Sequence, residues 1–383
     1  MTVHIVIAPD SFKESADALQ VANAVEKGMK TAFPTASFTK VPMADGGEGT
    51  VRAVVDATGG QVVSTDVTGP GGSVVTASYG VTGDGTTAVM EMAEAAGIHL
   101  TVREHRSPDT ATTAGVGDMI LDALDRGVRH FVVGIGGSAT NDGGAGMLQR
   151  LGVSFQDSRG VELPHGGRAL LALDRLDTSE LDPRLEESRF RIACDVDNPL
   201  CGPNGASVVY GPQKGAEEEM ITELDRALAQ FAAVGEAHGL PDVRYVPGSG
   251  AAGGLGAGFL MFLPSSLERG AVIVAEETGL AEQLQHADIV VTGEGGMNHQ
   301  TVNGKTPVYV AQLSRQVNPD APVIALCGSI SDGYEGVFDE GIDAVFSSLR
   351  EPASLDELPA RAEGDIELAA ANIARMLRLS FSS

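Results

Sequence analysis

The sequence predicts an α/β protein built from two domains. Short apolar runs alternate with longer amphipathic segments along most of the 383 residues, which is typical of parallel strands joined by helices. The length exceeds the ~100–200 residues of one domain. The alternation is cleanest at the two ends of the chain and weaker in the middle. We therefore expect residues 1–60 and 276–383 to form a doubly wound domain, and residues 61–275 to form an inserted mixed α/β domain, with the active site in the cleft between them.

The elements of the first domain follow from hydrophobic periodicity. Residues 17–31 place Ala18, Ala22, Val25 and Met29 on one helical face. Strands are predicted at residues 4–8, 288–292, 323–327 and 344–347, and further helices at 307–316 and 365–379.

The middle of the chain combines the hydrophobic periods of strands and of helices. Residues 61–92 contain several short strands separated by turn signals rich in glycine. Beyond them, helices are predicted at 112–126 and 217–238, and strands at 130–134, 190–194 and 207–210.

Composition excludes several classes of function. The chain has 52 acidic and 26 basic residues, a net charge of −26 that repels nucleic acids and anionic lipids. Its three cysteines form neither a disulfide framework nor a zinc motif. The first residues form an apolar strand and not a signal peptide, and no apolar stretch approaches the ~20 residues of a membrane span. We expect a cytoplasmic monomer or homodimer that binds small molecules.

Polar, glycine-rich segments follow the predicted strands. They occupy residues 9–13, 44–50, 136–144, 195–198 and 293–295. Ligands of open α/β sheets bind beyond the carboxyl ends of strands, so these segments are expected to converge on one site.

The residue types in these segments indicate phosphoryl transfer. Hydroxyl and backbone N–H groups of residues 136–141, at the start of a predicted helix, suit an anion, although Asn141 and Asp142 are equally typical of helix caps. Only six residues are lysines, and three of them (Lys13, Lys214 and Lys305) lie in polar, glycine-rich loops. Lysines suit phosphate oxygens, and carboxylates suit Mg²⁺. The carboxylates in question are Asp10, Asp45, Glu48, Asp142, Asp195 and Glu294.

Two familiar nucleotide motifs are matched only in part. Residues 248–253 satisfy GxGxxG, which leaves a nicotinamide-dependent hydroxy-acid oxidoreductase as an alternative, but the preceding residues make a poor core strand. Residues 304–306 (Gly-Lys-Thr) resemble the end of a P-loop, yet His299 occupies the position of its first glycine. The P-loop template therefore fails.

The characteristic motifs of the chain lie, in order, at residues 8–13, 44–50, 134–146, 193–202, 210–215, 248–258, 292–295 and 300–305. This series of motifs resembles that of the bacterial glycerate kinase family, which is unrelated to sugar kinases and P-loop kinases. The resemblance implies an ATP- and Mg²⁺-dependent kinase of D-glycerate, with a flavodoxin-like (Rossmann-like) domain and a second, inserted α/β domain. It favours phosphorylation at the 2-hydroxyl, while the residues alone leave 3-phosphorylation open.

Residues and resemblance together give a set of candidate site residues. The catalytic candidates are Asp195, Lys305 and Asn298, and the metal candidates are Asp195 and Glu294. The substrate and nucleotide candidates are Asp10, Ser11, Lys13, Asp45, Glu48, Ser138, Thr140, Asn141, Asp142, Asn198, Lys214, Glu294, Gln300 and Thr301.

The chain departs from the family pattern at two positions. Glu14 replaces a glycine, and Asn298 replaces an aspartate that follows the Gly-Glu-Gly motif. An amide neither accepts a proton nor orients Mg²⁺ as well as a carboxylate does. The second departure predicts slow turnover with ligand binding retained, and its extreme alternative is a non-catalytic sensor of glycerate and ATP.

Overall fold

A computed structural model describes residues 3–13, 15–351 and 353–381, so Glu14 lies outside the described residues. The chain divides into two compact units. Unit 1 comprises residues 1–45, 52–59 and 271–383, and unit 2 comprises residues 46–51 and 60–270.

Fifteen strands and twelve α-helices occur in the described residues. The strands are β1 (His4–Pro9), β2 (Ser37–Lys40), β3 (Gln61–Thr68), β4 (Val74–Val81), β5 (Thr87–Glu91), β6 (His130–Gly134), β7 (Ser154–Gln156), β8 (Arg175–Asp177), β9 (Arg189–Ala193), β10 (Ser265–Glu268), β11 (Ile289–Gly293), β12 (Gly296–Met297), β13 (Val323–Cys327), β14 (Ser329–Ile330) and β15 (Ala344–Ser347). The helices are α1 (Ala18–Met29), α2 (Thr50–Thr58), α3 (Ala93–Ala96), α4 (Ala114–Asp125), α5 (Ala145–Arg150), α6 (Ala206–Tyr210), α7 (Glu218–Ala237), α8 (Ala251–Phe262), α9 (Gly270–Glu277), α10 (Leu280–Leu284), α11 (Thr306–Val317) and α12 (Leu358–Phe381).

Unit 1 is built on a parallel five-stranded sheet in the order β15-β13-β11-β1-β2. Helices α1 and α12 pack closely together, and a Cβ added at Gly28 of α1 would lie 2.3 Å from the Glu367 carbonyl oxygen of α12. Their apolar faces share a core with alternate strand residues such as Ile5 and Ile7. Helix α1 begins at a capping box, in which Asp17 and Gln20 each accept the other's backbone N–H.

Unit 2 is built on a mixed six-stranded sheet in the order β10-β9-β6-β5-β4-β3. Strands β10, β9, β6 and β5 are parallel, and β5-β4-β3 form an antiparallel meander. The core includes a stack of Phe131 on Phe190, with ring centroids 4.6 Å apart. The predicted class, one parallel sheet from both chain ends and one mixed α/β sheet, is confirmed.

Two element predictions are wrong in detail. Residues 207–210 form helix α6 and not a strand, because the segment is enclosed by Gly205 and Gly211 and buries Ser207 while Val208 and Val209 stay exposed. The last helix, predicted from residue 365, begins at Leu358. Proline is tolerated in the first turn of a helix, where its missing N–H would have no partner, and the interior glycine at position 364 is also tolerated.

Among the described residues, no helix combines the length and the apolar character needed to cross a membrane.

Candidate functional site

The sheet of unit 1 has a topological switch point between β1 and β11. From β1 the chain continues to β2 on one side, whereas from β11 it continues to β13 and β15 on the other. Ligands of such sheets bind outside the carboxyl ends of the strands at this point. Asp10 follows β1 and Glu294 follows β11, and the last contact between the strands is a hydrogen bond from the Asp10 N–H to the Gly293 carbonyl (2.8 Å).

Asp10 is a buried carboxylate at this switch point, with 9% of its surface exposed. Its Oδ1 accepts the Ser11 backbone N–H (2.6 Å) and its Oδ2 accepts the Thr306 hydroxyl (2.8 Å). Burial and the negative charge of Asp45 raise the pKa of Asp10 to about 6, against the opposing effects of Thr306, Ser11 and Lys13. Thr306, whose hydroxyl orients Asp10 from the first turn of α11, was not predicted from the sequence.

Glu294 forms the other half of this arrangement. Its Oε1 accepts the Thr301 hydroxyl (2.6 Å), and its Oε2 lies 3.8 Å from Lys305 Nζ. Burial raises its pKa, opposed by the Thr301 hydrogen bond and the charge of Lys305. Lys13 lies at the same distance, 3.8 Å, from Asp45. We call this set the switch-point cluster: Asp10, Ser11, Lys13, Asp45, Glu294, Thr301, Lys305 and Thr306.

Asn298 and Gln300 stabilise the loop that carries Thr301. The Asn298 side-chain oxygen accepts the Gln300 backbone N–H (2.9 Å), and the Thr301 hydroxyl accepts the Asn298 backbone N–H (3.1 Å). The resulting Asx turn leads into a short 3-10 turn, Thr301–Asn303, and then to α11. Asn298 therefore has a local structural role in this chain, because its side-chain oxygen stabilises the turn that precedes Thr301.

In unit 2, Asp142 organises the loop after β6 from the inside. Its Oδ2 accepts the Thr113 N–H and hydroxyl and the Gly146 N–H, and its Oδ1 accepts the Gly144 N–H. The side chain is completely buried, and burial raises its pKa against these hydrogen bonds. These contacts hold Asp142 inside the loop.

The loop itself differs from the sequence expectation. Helix α5 begins only at Ala145, because Gly143 and Gly144 both have left-handed backbone angles (φ +65° and +80°). Residues 136–141 therefore lie upstream of the helix and not at its first turn, so their groups are positioned by tertiary contacts. Ser138, for example, pairs with Gly97 in a β-bridge.

Lys214 points into unit 2. Its Nζ donates to the Thr140 carbonyl oxygen (2.7 Å), and only 2% of its surface is exposed. Burial lowers the pKa of Lys214 to about 7, with the charge of Asp142 opposing the shift. The side chain predicted to meet phosphate instead anchors the backbone of the loop at Thr140.

Three buried polar atoms near this loop have no hydrogen-bond partner among the described residues. They are Thr140 Oγ1, Asn141 Oδ1 and Ser249 Oγ. The Asn141 amide nitrogen donates to Ser207 Oγ (2.9 Å), so the side chain is fixed while its oxygen stays available. Buried polar groups are nearly always paired, so these atoms are candidates for contacts with a ligand or with water. Ser249 was not predicted from the sequence, because it lies within a run of glycines.

That glycine run, residues 248–258, supports the loop by close backbone packing. Ala252, Gly253 and Gly254 all have positive φ, and a Cβ added at Gly253 would lie 2.1 Å from the Thr140 carbonyl oxygen. The element before the run is helix α7 and not a strand. The run therefore lacks the strand–turn–helix context that a GxGxxG dinucleotide site requires.

Asp195 and Asn198 lie in the loop after β9. Asp195 is exposed, and its Oδ1 accepts the Gly270 N–H (3.2 Å). The Asn198 oxygen accepts the Tyr210 hydroxyl (2.6 Å), and its nitrogen donates to the Asn204 carbonyl (2.9 Å). Asn198 is thus held in place by neighbours within the loop, and Asp195 is an exposed residue that contacts the Gly270 backbone.

Residues 46–51 rest on the carboxyl ends of β5, β6 and β9. The Gly49 and Val51 N–H groups both donate to Glu91 Oε1, at 3.1 and 3.0 Å. Gly46 contacts the ends of β6 and β9 so closely that its added Cβ would lie 2.4 Å from Ala193 Cβ. Glu48, between these anchors, is exposed. Glu91 is not predicted from the sequence, because Met92 and Ala93 follow it and no polar segment marks the end of its strand.

The two predicted metal ligands belong to different units, Asp195 to unit 2 and Glu294 to unit 1. No group of three or more His, Cys, Asp or Glu side chains in the described part of the chain is arranged to hold a metal. Mg²⁺ commonly uses only one or two carboxylates together with substrate phosphates, so either carboxylate suits that role chemically.

Comparison with known proteins places these features in a family. The family model described as "Glycerate kinase family" matches residues 5–378. The chain belongs to the glycerate kinase family. Similar proteins include a "Glycerate kinase" of Halalkalibacterium halodurans, 50% identical over 97% of both chains, and a "Glycerate 2-kinase" of Escherichia coli K12, 48% identical over 98% of both.

A solved structure of a candidate glycerate kinase 2 from Salmonella typhimurium LT2 has the same fold, with a TM-score of 0.92, 44% identity and full coverage of both chains. The resemblance to this family, first indicated by the motifs, is confirmed.

Proposed function

We propose that this chain is a glycerate kinase that transfers the γ-phosphoryl group of ATP to the 2-hydroxyl of D-glycerate, giving 2-phosphoglycerate and ADP. The observation that carries the proposal is the family match over residues 5–378 together with 48% identity to a protein named glycerate 2-kinase. Unit 1 supplies lysines and carboxylates, and unit 2 supplies hydrogen-bonding side chains, which are the kinds of group that phosphoryl transfer needs.

Lys13 and Lys305 are the proposed partners of anionic groups, either phosphate or the glycerate carboxylate. Each lies 3.8 Å from a carboxylate oxygen, which is longer than the ~2.7–2.9 Å of a charge-assisted hydrogen bond. Their side chains are 72% and 38% exposed, and neither ammonium group donates a hydrogen bond to the part of the chain that the structure describes. Both can therefore reorient toward an anion, and phosphoryl transfer depends chiefly on such positioning and charge neutralisation.

The proposed cofactor is Mg²⁺, and the electrostatics of the switch-point cluster suit a cation. Asp10 and Asp45 lie close enough that the charge of Asp45 raises the pKa of Asp10, a repulsion that a cation relieves. Glu294 of this cluster is a proposed ligand, and Asp195 of unit 2 is separately proposed as a magnesium ligand. When bound, the ion would neutralise part of the negative charge of the triphosphate.

In the proposed reaction, unit 2 supplies hydrogen-bonding groups that bind the substrates. Thr140 and Asn141 have the available oxygens, Ser138 lies in the same loop, and Asn198 is held rigidly after β9. We assign these residues to binding of the nucleotide or of glycerate.

The test measures ADP release with D-glycerate as acceptor and identifies the product by phosphorus NMR. L-Glycerate and glycerol serve as control acceptors, since one inverts the stereocentre and the other lacks the carboxylate. We expect ADP release with D-glycerate and not with either control acceptor. EDTA should abolish this release, and added Mg²⁺ should restore it. A 3-phosphate product contradicts the regiochemistry, and no ADP release from purified, folded protein contradicts the activity.

A further inference from the structure

Glu91 ends β5, in the middle of the sheet of unit 2, and its two carboxylate oxygens differ in environment. Oε1 accepts two backbone N–H groups, from Gly49 and Val51. Oε2 has no hydrogen-bond or ion-pair partner in the described part of the chain, and the residue is partly exposed. The carboxylate is therefore held in a fixed orientation by one oxygen, while the other remains available.

The position of Glu91 places it among the candidate residues of this unit. Strands β5 and β6 are parallel neighbours, and Glu91 pairs with Gly134, two residues before the 136–144 loop. The Met92 N–H, next in the chain, donates to the Gly134 carbonyl (2.9 Å). The segment that Glu91 holds, residues 46–51, includes the candidate Glu48.

The buried carboxylates singled out from the sequence are already engaged. Both oxygens of Asp10 accept hydrogen bonds, as do both oxygens of Asp142. Glu294 accepts from Thr301 with one oxygen and faces Lys305 with the other. A general base needs an oxygen that can approach the hydroxyl it deprotonates. Glu91 meets this requirement without first breaking a contact of its own.

We infer that Glu91 is the proton acceptor of the reaction, an inference that rests on the proposed kinase function. As the glycerate hydroxyl oxygen forms its bond to the γ-phosphorus, the O–H bond breaks and its proton passes to Glu91 Oε2. The bond between the γ-phosphorus and the β,γ-bridging oxygen breaks, and ADP leaves with that electron pair. Glu91 then releases the proton to solvent.

The electrostatic surroundings of Glu91 suit this role. Burial raises its pKa to about 7, and the negative charges of Glu94 in α3 and Glu48 add to the effect, whereas the N–H groups of Val51 and Gly49 oppose it. A base must be ionised to accept a proton, so activity should rise with pH through about 7 and level off above it.

The anchoring and proton-accepting roles of Glu91 can be separated by substitution. In Glu91→Gln the amide oxygen can still accept the Gly49 and Val51 N–H groups, but the side chain cannot take a proton. We expect kcat to fall by ~10²–10⁴-fold, with KM for both substrates little changed and the acidic limb of the pH profile lost. Glu91→Ala removes both roles, so it should also lower the unfolding midpoint.

Glu94→Gln is the matched control. Glu94 accepts the Ser78 N–H (3.1 Å), which an amide oxygen can do equally well, and its charge contributes to the raised pKa of Glu91. We expect kcat at high pH to be preserved while the acidic limb moves to lower pH, because one negative charge beside Glu91 is gone. A purely structural role of Glu91 would not produce this shift.

Three results would overturn the inference. Glu91→Gln with unaltered kcat and pH profile would leave Glu91 as an anchor only. Should Glu91→Gln fail to fold, an unmoved acidic limb in Glu94→Gln would likewise exclude Glu91 as the proton acceptor. A wild-type protein that releases no ADP with glycerate would instead refute the kinase function and this inference with it, so the two failures are distinguishable.

Discussion

Lys13 and Lys305 are exposed lysines that we propose contact anionic groups of the substrates. Replacing either with alanine should lower kcat/KM about 10–150-fold, since a charge-assisted contact to an anion contributes ~1.5–3 kcal/mol. Steady-state kinetics with both substrates measure this. Lys30→Ala is the control, because Lys30 pairs with Glu26 on the surface of α1 (2.6 Å). Equal losses in all three variants would remove Lys13 and Lys305 from the site.

Asn298 occupies a position at which the family resemblance implies an aspartate. Asn298→Asp should keep the Asx turn, because a carboxylate oxygen also accepts the Gln300 N–H. We predict a rise in kcat of about tenfold, below the usual range for general acid–base catalysis, with little change in KM. The reason is that the carboxylate implied by the family resemblance would orient Mg²⁺ better than an amide does. Equal kcat values for the two proteins would mark the asparagine as a tolerated variation.

Single residues also show where prediction from sequence stops. Asp10 and Glu294 were found because a polar segment follows an apolar strand, and both lie at the switch point. Glu91 also ends an apolar strand, but Met92 and Ala93 follow it, so the pattern of a polar segment after a strand is missing there. The sequence pattern predicts Lys214 as a phosphate ligand, yet its side chain turns inward to Thr140. The direction of a side chain depends on packing between distant segments, which the local pattern does not contain.

At the scale of elements, the glycine run of residues 248–258, before and within α8, allows the backbone to pack closely against the neighbouring loop. Gly253 combines φ +67° with a Cβ position 2.1 Å from the Thr140 carbonyl oxygen. Gly253→Ala should lower the free energy of unfolding by ~2–5 kcal/mol, from a left-handed alanine and an overpacked contact together. The substitution should also displace Thr140 and so weaken binding of the nucleotide or glycerate that we propose contacts this loop.

Gly239→Ala provides the matched control in the same unit. Gly239 has φ +85° but no neighbour within 4 Å of its added Cβ, so only the conformational cost of ~1–2 kcal/mol applies. Chemical denaturation of both variants measures the difference. Equal destabilisation would show that the contact with Thr140 is relaxed at no cost.

Most elements followed from the sequence because the buried faces of strands and helices have different periods. Strands β6, β13 and β15 have the predicted bounds. Helix α6 did not follow, since its Ser-Val-Val-Tyr residues favour a strand locally while Gly205, Gly211 and the buried Ser207 fix a single helical turn. Tertiary contacts override propensity most easily in segments this short.

At the scale of the whole molecule, the net charge of −26 makes stability depend on salt. Self-repulsion among surface carboxylates opposes the compact state, and ions screen it over ~10 Å at 0.1 M ionic strength. We predict that the unfolding temperature at pH 7 rises when sodium chloride is raised from about 0.02 to 0.2 M. The rise should shrink near the calculated isoelectric point of about 4.5. Calorimetry in both buffers measures it, and a fall in unfolding temperature at pH 7 would contradict it.

The pairing of β1 with β11 also has a consequence for biosynthesis. Ile5 pairs with Ile289, so at ~5–20 residues per second the ribosome delivers the second strand roughly 15–60 s after the first. Residues 60–270 are contiguous and can fold before β11 has been synthesised. During that time the edge of β1 that pairs with β11 is unpaired. Such an edge invites association with other chains, so a chaperone that shields it early in translation should raise the yield of native protein.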